Sequence, residues 1–153
     1  MSQDAESPPH THDPNPSPPS DDPAIDLFVS GKAYRLTPDD LLSLPQILVA
    51  DCYIVSTGHG TGGPFAFGGV PLLELIRRYT DEWNVVDVSS ADGFWTRLDF
   101  DTLRQTADRP AILALSIDDR PLSRREGLVR LVVPQEKATA LRQVKWVSQI
   151  QIN

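Results

Sequence analysis

The sequence predicts a strand-rich α+β domain. Three observations carry that expectation. Segments with period-two alternation or β-branched runs outnumber helical ones, the candidate helices are short and scattered, and helices and strands do not alternate in the regular order of a parallel α/β sheet. The pattern becomes globular at Ala24. "AIDLFVSGKAYRLT" reads as two short strands around a turn at Ser30-Gly31, with Ile25, Leu27 and Val29 on one face. "TPDDLLSLP" offers Thr37 as N-cap, Pro38 at the first helical position and acidic residues in the first turn, and Pro45 ends this short helix. "QILVADCYIV" is a strand, and "PLLELIRRY" is a helix whose apolar face carries Leu72, Leu73, Leu75, Ile76 and Tyr79. "WNVVDVSSADGFWTRLD" predicts a hairpin turning at Asp92-Gly93, "DFDTLRQTA" a short helix and "PAILALSID" a buried strand. "DDRPLS" is a turn, and "LVRLVVP" and "VKWVSQIQI" are two further strands.

Length and composition bound the function. A chain of 153 residues holds one domain with a real core. Residues 1–23 read as a disordered acidic Pro-rich tail. They hold seven of the fourteen prolines and, after Met1, nothing aliphatic larger than alanine, too little apolar surface to offset the entropy of ordering. His10 and His12 in this tail read as solvated, because a metal site needs more ligands in a fixed geometry. The domain proper is 24–153. Asp4, Glu6, Asp13, Asp21 and Asp22 supply five of the seven net negative charges, which leaves −2 for the domain and no basic surface for nucleic acid. A single cysteine, Cys52, excludes an internal disulfide and a cysteine-based zinc site. No apolar run approaches the roughly 20 residues that span a bilayer. The N-terminus lacks the basic and apolar regions of a signal peptide, so the expected location is cytoplasmic.

One stretch stands out. "VSTGHGTGGPFAFGGVPL", Val55 to Leu72, holds six of the nine glycines and His59, the only histidine beyond residue 12. Its composition predicts a loop between strand and helix. No Gly-Lys-Ser/Thr follows "GHGTGG", so it is not a phosphate-binding Walker loop. Nor does a Gly-x-Ser-x-Gly elbow make a hydrolase of Ser56, His59 and Asp51.

Five segments in order resemble a known family. They are "LTPDDLLSLP", "FGGVPLLELI", "SSADGFWTRLDFDTL", "PAILALSIDDRPLSRREGLVRLVVP" and "RQVKWVSQIQI", and they cover nearly everything from about Leu36 to Asn153. Each is a modest signal, and their joint order is a strong one. The resemblance is to the oxidoreductase molybdopterin-binding domain family, of the sulfite oxidase type. It implies the strand-rich mixed fold of that domain, with short helices, burying one molybdenum–molybdopterin cofactor. The implied chemistry is oxygen-atom transfer or a related two-electron step at molybdenum, with sulfite or sulfoxides among the family's substrates. Active members also bind the metal through a cysteine thiolate, a soft ligand that donates density to a high-valent centre.

The resemblance locates the metal-ligand position near Ser56 when counted from "LSLP", or from Gly69 with a short loop, and at Cys52 with a longer loop. Simple alternation puts Leu48, Ala50, Cys52, Ile54 and Ser56 on one side of the strand. Cys52 falls in mid-strand, where a free cysteine packs as a small hydrophobe, whereas Ser56 falls where the strand opens. Ser56 is therefore the expected position, with Cys52 as the alternative, and a hydroxyl stands where the thiolate should be. Glycines let backbone N–H groups approach an anion closely, so Thr57, Gly58 and Gly60 are candidates to cradle the cofactor. His59 is a candidate to hydrogen-bond a cofactor or substrate oxygen. Arg130 in "VRLVVP", and Arg142 and Lys145 in "ALRQVKWV", match stretches in which family members bind the pterin and its phosphate, the natural partner of a guanidinium or ammonium. Lys145 also suits a cation–π contact with Trp146. Arg97 is expected to pair with Asp99, and Arg124-Arg125-Glu126 to form a solvated turn.

Two functions follow. One is the molybdopterin-binding domain of a sulfite oxidase-like oxidoreductase, served by a pterin cofactor, a small-molecule substrate and a redox partner protein. The other is a non-catalytic ligand-binding or protein-interaction module on the same fold, with the metal-ligand cysteine lost. Neither involves nucleic acid or a membrane.

Overall fold

The structure, a computed structural model, describes residues 22–56, 60–106, 108–123, 126–134 and 144–153, with the backbone alone at 53–56, 60 and 61. Strands β1 (Ile25–Val29) and β2 (Lys32–Leu36) form the expected hairpin, turned by Ser30 and Gly31, whose φ of 52° and 79° are what a two-residue hairpin turn requires. Helix α1 (Pro38–Leu42) starts with a reciprocal capping box: Asp40 N–H donates to the Thr37 hydroxyl, and Thr37 N–H to the Asp40 carboxylate. Strands β3 (Ile47–Ser56) and β4 (Gly60–Pro71) then form one long antiparallel hairpin. The glycine-rich stretch, expected as a loop, is thus a strand from Gly60 onward. Ladder bonds to β3 override the poor strand propensity of glycine.

The remaining elements follow in the expected order: α2 (Leu72–Arg77), β5 (Val85–Ser90), β6 (Trp95–Asp99), α3 (Phe100–Gln105), β7 (Ile112–Ile117), the two-residue β8 (Arg120–Pro121), β9 (Arg130–Val132) and β10 (Val147–Ile152). β10 begins later than "VKWVSQIQI" suggests, because Trp146 takes a left-handed φ of 52° that interrupts the strand. Arg97 reaches its cross-strand partner Asp87 on β5, at 2.7 and 3.0 Å, rather than Asp99. Asp99 caps α3 instead, accepting from Thr102 N–H at 2.7 Å. Asp22, counted with the tail above, pairs with Arg35 at 2.7 Å, so described contacts reach two residues past the expected boundary. The pair is exposed and adds little stability.

Among the described residues the strands make two sheets. Sheet A runs β2-β1-β10-β5-β6, and sheet B runs β3-β4-β7-β8 with β9 also paired to β7. β1 and β10 are parallel neighbours at the middle of sheet A. The main core lies between the sheets and is closed by the helices: Leu27, Val88 and Ile150 come from sheet A, Leu72 and Ile76 from α2, and Leu113 and Leu131 from sheet B. Fully burying each such side chain stabilises by about 1.5–3 kcal/mol. A second, smaller core covers the other face of sheet B. Ile112, Ala114 and Val132 point into it while their neighbours Leu113 and Leu131 point to the main core, as strand alternation dictates.

Candidate cofactor-binding site

β3 does not alternate simply. Val49 faces Phe67 but Cys52 faces Phe65, three steps on β3 against two on β4, which is a bulge at Ala50-Asp51 with Asp51 at φ 56°. The buried face therefore passes from Val49 to Cys52, and Leu48, expected beside Cys52, is 66% exposed. A second shift between Cys52 and Ile54 restores the register, so that Ser56 faces Gly60. The extra residue of this second shift is on β4. The bulge at Ala50-Asp51 thus separates Cys52 from the Leu48 and Ala50 alternation, while no residue is inserted in β3 between Cys52 and Ser56. The Ser56 and Gly60 backbones pair at the end of the hairpin, and Thr57, Gly58 and His59 lie outside the described residues.

Arg109 reveals the curvature of sheet B. Its guanidinium donates to the carbonyls of Ala50 (2.9 Å), Asp51 (3.3 Å) and Pro134 (3.5 Å). In a flat sheet β3 and the segment after β9 would be three strand spacings apart, roughly 14 Å. One side chain bridges them, so the sheet bends and is concave toward the small core. Cys52 belongs to that core at 1% exposure, its thiol donating to the Val49 carbonyl at 3.4 Å. Burial pushes the thiol pKa up, and Arg109 only partly offsets this. Native protein should thus react slowly with a thiol reagent and unfolded protein at once. Cys52→Ala should cost about 1–3 kcal/mol in a urea melt through lost packing. Rapid labelling of native protein would contradict this placement.

β9 presents Arg130 to the same concave side, because Arg130 and Val132 share a face and Arg130 pairs with Ala114. Its side chain is buried, one Nη donates to the Glu126 carbonyl at 3.2 Å, and Nε has no hydrogen-bond partner. Burial drives its pKa down to about 10 despite some help from the Glu126 charge. The backbone then delivers Lys145 beside it. Leu131 and Val144 exchange both main-chain bonds (2.8 and 3.2 Å), and the N–H groups of Trp146 and Val147 donate to the carbonyls of Gly127 and Val129, each at 3.0 Å. Partial burial and the charge of Arg130 lower the pKa of the Lys145 ammonium, which lies 4.8 Å from the Trp146 ring centre. Asp92, in the β5–β6 turn, pulls the other way but is itself bonded to the Ser90 hydroxyl.

The chain pays in backbone strain to hold this arrangement. Gly127, Leu128 and Trp146 all have positive φ, at 114°, 59° and 52°. For bulky leucine and tryptophan this costs on the order of 1–3 kcal/mol each, and such strain clusters at ligand sites. Gly127 is required twice over, since a Cβ there would stand 3.0 Å from Cβ and 3.1 Å from Cα of Lys145.

Glu126, expected in a solvated turn, is committed to Arg120 through two parallel bonds of 2.6 Å and accepts from Ser123 N–H at 2.9 Å. These donors hold its carboxyl at about 2, so it is ionised at any working pH. Arg124 and Arg125 lie outside the described residues, as does Arg142. A buried N–H donor without a partner and two cations without an ion pair among the described contacts suit an anion such as a phosphate group.

The model of the oxidoreductase molybdopterin binding domain matches residues 16–153. The chain belongs to that family. Membership implies a molybdenum–molybdopterin cofactor, and the residues just described fit its phosphate-bearing pterin. Among solved structures, this molybdopterin-binding domain resembles the sulfane dehydrogenase SoxCD from Paracoccus pantotrophus, with a TM-score of 0.65 and 20% sequence identity over 84% of this chain. At that identity the likeness concerns the fold, and the match spans 37% of the SoxCD chain. No individually curated protein matches the chain. No helix among the described residues is long and apolar enough to cross a membrane.

Of the residues the sequence singled out, the molybdopterin-binding domain brings Arg130 and Lys145 together. The sequence reading missed Arg109, Arg120 and the commitment of Glu126. Only the last had a local signal, the Ser123-x-x-Glu126 spacing that lets a carboxylate reach back to a main-chain N–H.

Proposed function

We propose that the concave side of sheet B binds the molybdenum–molybdopterin cofactor, and that the domain is the cofactor-binding part of a sulfite oxidase-like oxidoreductase. The observation that carries this reading is the Arg130–Lys145 pair, in which Arg130 is buried with an unsatisfied Nε–H and a charge that Glu126 only partly offsets, on a strained backbone. In this reading Arg130 and Lys145, joined by Arg142, hold the pterin phosphate as charge-assisted donors. Thr57, Gly58 and Gly60 offer main-chain N–H groups, and His59 hydrogen-bonds an oxygen of cofactor or substrate. The bound cofactor supplies two-electron or oxygen-atom-transfer chemistry at molybdenum. Ser56 takes the metal-ligand position, with Cys52 the alternative. The substrate is a small molecule, electrons pass to a redox partner protein, and the lone buried thiol suits the cytoplasm.

A second reading, a non-catalytic ligand-binding or protein-interaction module, is favoured by the seating of Cys52 in an apolar core rather than at an open site. Metal analysis separates the two. Protein made in a host that synthesises the cofactor should carry molybdenum and pterin. Ser56→Cys, which restores a soft ligand, should retain more molybdenum or gain sulfite- or sulfoxide-linked redox activity. If neither protein ever copurifies with molybdenum or pterin, the non-catalytic module remains.

A further inference from the structure

We propose that Arg120 is a positioning residue for the anion site: it holds the Glu126 carboxylate away from Arg130, so that the Arg130–Lys145 pair stays available to an anionic ligand. This rests on the reading that the pair binds an anion. Glu126 already touches Arg130 through its main chain, since its carbonyl accepts from the guanidinium at 3.2 Å. Its carboxylate is therefore tethered within side-chain reach of a buried guanidinium that has an unsatisfied Nε–H. Left alone, such a carboxylate would turn inward, because opposite charges attract strongly where water is scarce and the orphan donor would be satisfied.

Arg120 presents a better offer. Its two Nη groups grip both carboxylate oxygens at 2.6 Å, and Ser123 N–H adds a third donor. Arg120 is itself fixed from outside the site. It pairs with Ile117, and the Asp118-Asp119 turn before it is tied to β4 by Asp118 N–H donating to the Ala66 carbonyl (2.8 Å) and Ala66 N–H donating to the Asp118 carboxylate (2.9 Å). The Arg120 side chain is 56% exposed, so the ion pair does little for stability. Its consequence lies in which way Glu126 faces. Without the clamp, Glu126 becomes an internal competitor, and apparent ligand affinity falls by the fraction of molecules in which Arg130 remains free.

The test uses the full chain with pyrophosphate as probe, titrated calorimetrically at low ionic strength. Arg120→Ala should weaken pyrophosphate binding by about tenfold, as expected if Glu126 blocks the site in nine molecules of ten, with little change in melting temperature. Adding Glu126→Gln should restore binding to at least the original level, which a merely structural role for Arg120 would not produce. The Arg130 Nε–H resonance reports the same switch without ligand, moving in Arg120→Ala and returning in the double variant. Unchanged binding in Arg120→Ala, absence of rescue by Glu126→Gln, or an immobile Arg130 resonance each overturns the positioning role alone. If the unmodified chain does not bind pyrophosphate and Arg130→Met is indistinguishable from it, the anion-site reading fails and takes this proposal with it.

Discussion

Arg130→Met should weaken anion binding and yet leave the empty protein as stable as before, or more so. The substitution keeps most of the buried volume and removes a charge that finds incomplete compensation in the described structure. Replacing poorly satisfied buried ions by apolar residues of similar size is often neutral or stabilising, by about 1–4 kcal/mol. Binding moves the other way, because a charge-assisted hydrogen bond to the ligand is lost, about 1.5–3 kcal/mol or roughly 10- to 150-fold in pyrophosphate affinity. Urea melts and calorimetric titration of one variant check both signs. A stability loss of about 2 kcal/mol or more with unchanged affinity would make Arg130 a structural residue, and the site would have to be sought elsewhere.

Gly69→Ala is expected to be the most damaging small substitution in the domain. A Cβ at Gly69 would fall 2.0 Å from the Leu113 carbonyl oxygen and 2.7 Å from the Ala114 Cα. Both are main chain, so no rotamer change relieves the clash, and β4 and β7 must part where their register shifts. The cost should be at least about 3 kcal/mol, or roughly 6–12 °C in Tm. Gly93→Ala is the control. Nothing lies within 4 Å of its added Cβ, so only the backbone term at φ 96° remains, about 1–2 kcal/mol. Equal losses in the two variants would mean that close strand approach is not what the "GGVPL" glycine provides.

The parts of this fold legible in the sequence are those fixed by neighbours in the chain. The turn at Ser30-Gly31, the Thr37 cap and the hairpin at Asp92-Gly93 each depend on residues within four positions, and the structure places them as expected. What escaped depends on strands that meet from afar. Glycine at 60, 62, 68 and 69 looks like a loop until β3 and β7 supply ladder partners. The Ala50-Asp51 bulge leaves no compositional mark, and it defeats the alternation that linked Leu48 and Ala50 to Cys52. Arg97 chose Asp87 over Asp99 because residues opposite each other across a strand pair lie side by side, while those two apart on one strand do not. For the site, the motif resemblance pointed to Arg130 and Lys145, which the structure brings together. The clamp that keeps them free, Arg120 on Glu126, could not be read without knowing that β8 lies beside the turn leading into β9.

The middle of sheet A has a consequence for how the chain acquires its shape. β1 is bonded to β2 on one side and waits for β10 on the other, with about 120 residues between Val29 and its partner Ile152. β5 and β6 likewise join the rest of the sheet only through β10. Each hairpin can form early from nearby residues, but the two halves become one sheet only when the last strand slots between them. Closing so long a loop is slow compared with making a hairpin. During synthesis, the β1–β2 and β5–β6 pairs should therefore emerge with open inner edges, exposed to any other strand that offers itself, until residues 147–152 arrive.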